Sequence, residues 1–238
     1  ARVYRNERAV GDALRESSVP RSELFVTTKL WNGDQGFEKT LAACDASLNR
    51  LGLDFVDLYL IHWPVEGLRS ESWSALEQLF EEGKCRAIGV SNYTVRHLEE
   101  LLAECSVVPA VNQVEFSPYT FQVELLDYCR SHGIQLESYS PLTKGLKLDD
   151  SYLSEISANY SRTPAQLLLL GDDLGHGGAF RDHRVRKRLR HLDVVDEHLD
   201  TDLLDVEHAD HAQCAHPVQH RILDALHGPH GLLEGLEA

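Results

Sequence analysis

Residues Leu58 to Pro64 read LYLIHWP, an apolar run that stops on a histidine, a tryptophan and a proline. Four consecutive apolar residues ahead of a proline fit a strand buried on both faces. An apolar strand seldom ends in a bare imidazole, so His62 raises the expectation of a pocket shared with other strand ends. Working outwards, strand and helix alternate. ELFVTTKLW (23–31) reads as a strand, and FEKTLAACDASLNRLG (37–52) as an amphipathic helix closed by Gly52. SESWSALEQLFEEGK (70–84) reads as a helix that Ser72 or Ser70 would cap. CRAIGVSN (85–92) is a third strand followed by the helix 94–105. PAVNQVEFSP (109–118) is a fourth, followed by the helix 122–133, and IQLESYSPL (134–142) is a fifth. The stretches 150–161 and 163–170 read as helical. The chain opens on a helix, with Val10, Ala13 and Leu14 at helical spacing.

Strands that alternate with helices are parallel and joined by helical crossovers, so the fold class is α/β. An open doubly wound sheet and a (β/α)8 TIM barrel both satisfy that pattern. No GxGxxG follows any strand, which argues against a dinucleotide fingerprint at a sheet switch point. Lys29, His62, Ser91 with Asn92, Gln113 and Tyr139 fall at the C-terminal ends of successive strands, and in a barrel those ends converge on the active-site face.

VYRNE, TTKLW, LYLIHWP, IGVSNY, AVNQVEFSP and SYSPL, in this order and spacing, closely resemble the aldo-keto reductases. The resemblance covers Ala1 to about Leu169 and implies a barrel of which strands 3–7 are identifiable. It also implies bound NADP(H) and reversible reduction of small aldehydes or ketones to alcohols. By the same resemblance Tyr4 matches the proton donor, Lys29 the lysine beside it, and His62 the histidine that orients the substrate carbonyl. Ser91, Asn92 and Gln113 match the residues that hold the nicotinamide carboxamide, and Tyr139 the ring that stacks on the nicotinamide. Ser140 and Leu142, with Lys144, match positions near the pyrophosphate, and Trp31 and Trp63 match walls of the substrate pocket. The chemistry requires such types. Negative charge develops on the carbonyl oxygen during reduction, so an acid must stand within hydrogen-bond reach. A phenol titrates near ~10 in water, and a neighbouring ammonium favours its ionised form.

Two departures from the family pattern shape the expectations. The catalytic aspartate that pairs with the lysine belongs to a DTA triplet of which only Ala1 remains, and the first two barrel strands are expected upstream of it. Beyond Leu169 no stretch resembles the family's IPKS phosphate grip. Residues 1–169 hold 17 Ser, 8 Tyr and 6 Asn, whereas residues 170–238 hold none of these and carry 10 of the 13 histidines. That composition fits GC-rich codons read out of frame, so a partial reductase barrel over 1–169 and a non-family tail over 170–238 are expected. An activity that is impaired or lost follows from both departures.

A chain of 238 residues suits one large domain. Five cysteines without CxxC spacing read as reduced core thiols, and no metal site is expected. The net charge of −15 repels nucleic acid, and the acid-rich DVVDEHLDTDLLD offsets the basic RDHRVRKRLRH beside it. No run of about 18 apolar residues occurs, so no membrane span is expected. The expected setting is a cytoplasmic monomer acting on a small carbonyl substrate. Two other readings compete with the reductase: a regulatory subunit that keeps the cofactor without turnover, and an inactive fragment of a disrupted gene.

Overall fold

The computed structural model describes residues 4–171. Among these residues five strands form one sheet in the order β1 (Thr27–Leu30), β2 (Leu58–Ile61), β3 (Ile88–Ser91), β4 (Val111–Glu115) and β5 (Gln135–Tyr139). The pairs β1–β2, β2–β3 and β3–β4 are parallel. A doubly wound sheet reverses its strand order at a switch point. Here sequence order and spatial order coincide, which is the succession of consecutive strands in a (β/α)8 barrel. The structure therefore decides between the two architectures in favour of a partial barrel.

The helices are α1 (Glu7–Glu16), α2 (Phe37–Leu51), α3 (Arg69–Glu81), α4 (Val95–Leu102), α5 (Val123–Ser131), α6 (Ser151–Asn159) and α7 (Pro164–Gly171). Gly52 ends α2 in the left-handed conformation, φ 67°, as its place after a periodic run predicts. Thr94 caps α4 in a reciprocal arrangement with His97.

Three local expectations are corrected. Neither Ser70 nor Ser72 caps α3, whose N-cap is Leu68. The Ser72 hydroxyl instead donates to the Leu68 carbonyl and accepts from the Gly36 amide, joining two loops. β1 starts at Thr27 rather than residue 23, because Arg21–Glu23 form a 3₁₀ turn and the Val26 amide is taken by the Asp57 carboxylate at 2.8 Å. In α1 the buried positions are Glu7 and Gly11, while Val10 is exposed. The reason is steric: a Cβ on Gly11 would lie 2.3 Å from the Leu51 carbonyl oxygen, so α1 meets α2 backbone to backbone.

The described residues divide into two compact units, 4–113 with 124–136, and 114–123 with 137–171. In the first unit, Leu58, Leu60, Ala87, Ala110 and Val111 form an apolar cluster. Gly89 is required there, since its Cβ would stand 2.6 Å from the Val111 carbonyl oxygen and 2.8 Å from Leu60. Asp57 accepts from Arg21 at 2.7 Å and Arg86 at 3.3 Å, with both guanidinium groups over Phe55. Cys44 and Cys85 are buried free thiols 4.0 Å apart, and their hydrogen bond together with burial pushes the Cys85 thiol far up. Cys129 is buried and raised to about 11 by desolvation, Cys105 is half-buried, and Cys214 lies outside the described residues. In the second unit, Tyr119, Leu153, Ile156, Leu167 and Leu168 form the core.

Candidate functional site

Lys29 lies opposite Leu60 in the β1–β2 register, and His62 follows Leu60 by two residues. Side chains two apart share a face of the sheet. The His62 amide still bonds the Leu30 carbonyl at 3.1 Å, so the ladder carries that face one residue past β2. His62 is half-buried, with Trp31 edge-on at 5.4 Å between ring centroids and Tyr4 tilted at 6.4 Å. Burial first, and the Lys29 ammonium second, lower the imidazole below the ordinary histidine range. His62 is therefore neutral at neutral pH and carries one N–H. Among the described residues its Nδ1 is buried without a hydrogen-bond partner. A buried orphan N–H is rarer than an orphan acceptor, which favours the tautomer that carries its proton on Nε2.

The next strand ends lie alongside. Ser91 closes β3 and pairs in register with Gln113, which sits within β4 rather than at its end. The Ser91 hydroxyl donates to the Gln113 carbonyl at 2.6 Å. Asn92 turns into the left-handed region, φ 64°, a conformation that asparagine tolerates better than most residues. Its Nδ2 donates to the His62 carbonyl at 2.9 Å and to the Ser91 hydroxyl at 3.2 Å. The Asn92 amide thus ties the β3 end to the residue that presents the imidazole. Amide and hydroxyl groups at adjacent strand ends are the donor and acceptor set that pairs with a carboxamide.

Trp63 is 45% exposed, and its carbonyl is held by Nε2 of the fully buried Gln35 at 2.7 Å. This bond joins the loop after β1, which carries Trp31, to the loop after β2. Sequence reasoning passes over Gln35, because a buried amide in a loop leaves no periodic signal. A cavity of about 290 Å³ between β1 and α2 is bordered by Lys29, Trp31, Asp34, Lys39, Arg50 and Tyr59. Neither Tyr4 nor His62 lines it.

In the second unit, Tyr139 ends β5 and is half-buried. Ser140, Thr143 and Lys144 adopt positive φ, and the Thr143 amide bonds the Ser140 carbonyl at 2.8 Å, so the chain coils tightly after β5. Leu142 packs against the apolar core of that unit. Among the described residues no group of three or more His, Cys, Asp or Glu side chains is placed to hold a metal ion, and no helix is long and apolar enough to cross a membrane.

Comparison with known proteins gives a consistent result. The aldo/keto reductase family model matches residues 1–204, a span that continues past Leu169 into residues outside the described part. The glyoxal reductase of Bacillus subtilis is 48% identical over 210 residues, covering 86% of this chain and 75% of that protein. Among solved structures, an aldo/keto reductase from Brucella melitensis superposes with a TM-score of 0.68 at 38% identity, covering 80% of this chain and 82% of that one. A Bombyx mori aldo-keto reductase in complex with NADP gives a TM-score of 0.66 at 31% identity, covering 83% and 72%.

Proposed function

Because the chain belongs to the aldo/keto reductase family, we propose that it reduces small aldehydes and ketones to alcohols with NADP(H), through Tyr4, Lys29 and His62. The observation that carries this reading is the meeting of the Tyr4, Trp31 and His62 rings on the sheet face that Lys29 shares. When bound, NADPH supplies the hydride for the carbonyl carbon. The chain's own residues handle the oxygen. The Nε2–H of neutral His62 donates to the carbonyl and fixes its direction, and Tyr4 gives the proton as negative charge builds there. Lys29, on the same sheet face as His62, adds positive charge on the oxygen side of the site. Trp31 and Trp63 exclude water on the substrate side. Asn92 and Gln113 hold the carboxamide of the nicotinamide, Ser91 sets their spacing, and Tyr139 stacks on the ring. Ser140 and Leu142 contribute backbone near the pyrophosphate.

The glyoxal reductase relative directs the choice of substrate towards small dicarbonyls. Turnover by this chain is slow in the same proposal, since residues 170–238 contain no IPKS-like stretch to hold the adenosine 2′-phosphate. The test is NADPH consumption with glyoxal and with nitrobenzaldehydes, alongside direct NADPH and NADH binding. The expected result is slow reduction with little preference between the two cofactors. Binding without reduction would favour the regulatory subunit, and neither binding nor reduction would overturn the proposal.

A further inference from the structure

Glu7 is a carboxylate only 4% exposed at the start of α1. Its Oε1 accepts from the Thr28 hydroxyl at 2.8 Å, and its Oε2 from Arg50 Nε at 2.6 Å. Arg50 also donates to the Ser47 hydroxyl at 3.0 Å, which fixes the guanidinium on α2. Burial pushes the Glu7 carboxyl up, and the bonds from Thr28 and Arg50 more than offset it, so the group stays ionised. A buried charge is retained at a cost unless its partners are well placed. Here the partners belong to two other elements, and one of them, Thr28, is the immediate neighbour of Lys29. Tyr4 itself is 61% exposed and three residues ahead of Glu7, so packing does little to fix its ring. One turn further on, Gly11 presses α1 against the Leu51 backbone, giving the helix a second anchor on the same face.

We propose that Glu7 is a positioning residue that holds the Tyr4 phenol against His62, by locking the start of α1 to Thr28 on β1 and Arg50 on α2. The inference rests on the proposed roles of Tyr4 and His62 and adds a residue that acts through them. It accounts for a charge buried where an apolar side chain would fill the same face of α1 without desolvation.

The test is a nuclear Overhauser measurement on the full chain with labelled tyrosine, histidine and tryptophan. It reads the Tyr4–His62 ring contact against the Trp31–His62 contact, which does not depend on α1. In Glu7→Ala the Tyr4–His62 signal should fall at least fivefold while the Trp31–His62 signal stays. Glu7→Gln keeps an acceptor for Thr28 and should restore more than half of the lost intensity. Should Glu7→Ala fail to fold, Thr28→Val removes one bond at a strand position suited to valine, and should weaken the same signal at least twofold. An undiminished Tyr4–His62 signal, or equal loss of both signals, would overturn the proposal. The outcome does not require turnover, so an absence of reductase activity would strike the functional reading alone.

Discussion

His62 and Lys29 form the most informative pair of single residues in the molecule. Burial and the neighbouring ammonium both lower the imidazole, so removing the charge by Lys29→Met should raise the His62 titration midpoint, read by proton NMR against pH. The linkage has a definite sign. A histidine depressed in the folded state contributes stability that is full above its unfolded value of ~6.5 and fades as pH falls through the folded value. His97, lowered chiefly by burial, adds to the same acid-side loss. At Gln35 the expectation concerns position. Gln35→Leu removes the bond to the Trp63 carbonyl, and should cost about 1 kcal/mol in a denaturant melt and raise the apparent KM for aldehydes without changing NADPH binding. His62 was legible in the sequence because a titratable group ends an apolar run. Glu7 and Gln35 were not, because a buried polar residue is specified by partners distant in sequence, Thr28 and Arg50 for one and Trp63 for the other.

Among the elements, the strand interiors were readable and their ends were not. β2 occupies the apolar run as expected, since four residues without a polar member have only buried positions to fill. β1 is shorter than its β-branched stretch, because Asp57 captures the Val26 amide before the ladder begins. The stripe expected on α1 failed for a related reason: a backbone contact at Gly11 outweighs the burial of Val10 and Ala13. Close approach also sets the strongest expectation at this scale. Gly89→Ala places a methyl carbon 2.6 Å from a backbone oxygen, and should cost about 1–3 kcal/mol in urea unfolding, at the range typical of overpacking. Asp57→Asn weakens the joint between Arg21, Arg86 and the Val26 amide. A loss of about 1.5–3 kcal/mol is expected in the same assay, as for hydrogen bonds to a charged group.

For the whole molecule, the decisive architectural fact is that sequence order equals sheet order. Alternating strands and helices left two architectures open, and the strand-end polar residues favoured the barrel because only consecutive parallel strands bring their ends side by side. The structure carries Tyr4, Trp31 and His62 to one place, and Asn92 couples the β3 end to the His62 backbone. Beyond Gly171 the expected tail lies outside the described residues, and the composition that prompted it is a property of the sequence alone. The central claim is that this constellation reduces carbonyls with Tyr4 as proton donor, and Tyr4→Phe isolates that hydroxyl while keeping the ring. NADPH-dependent reduction of glyoxal, measured with NADPH affinity in the same preparations, should fall ~10²–10⁴-fold in kcat with affinity unchanged. Equal kcat in Tyr4→Phe and the parent chain would contradict the account.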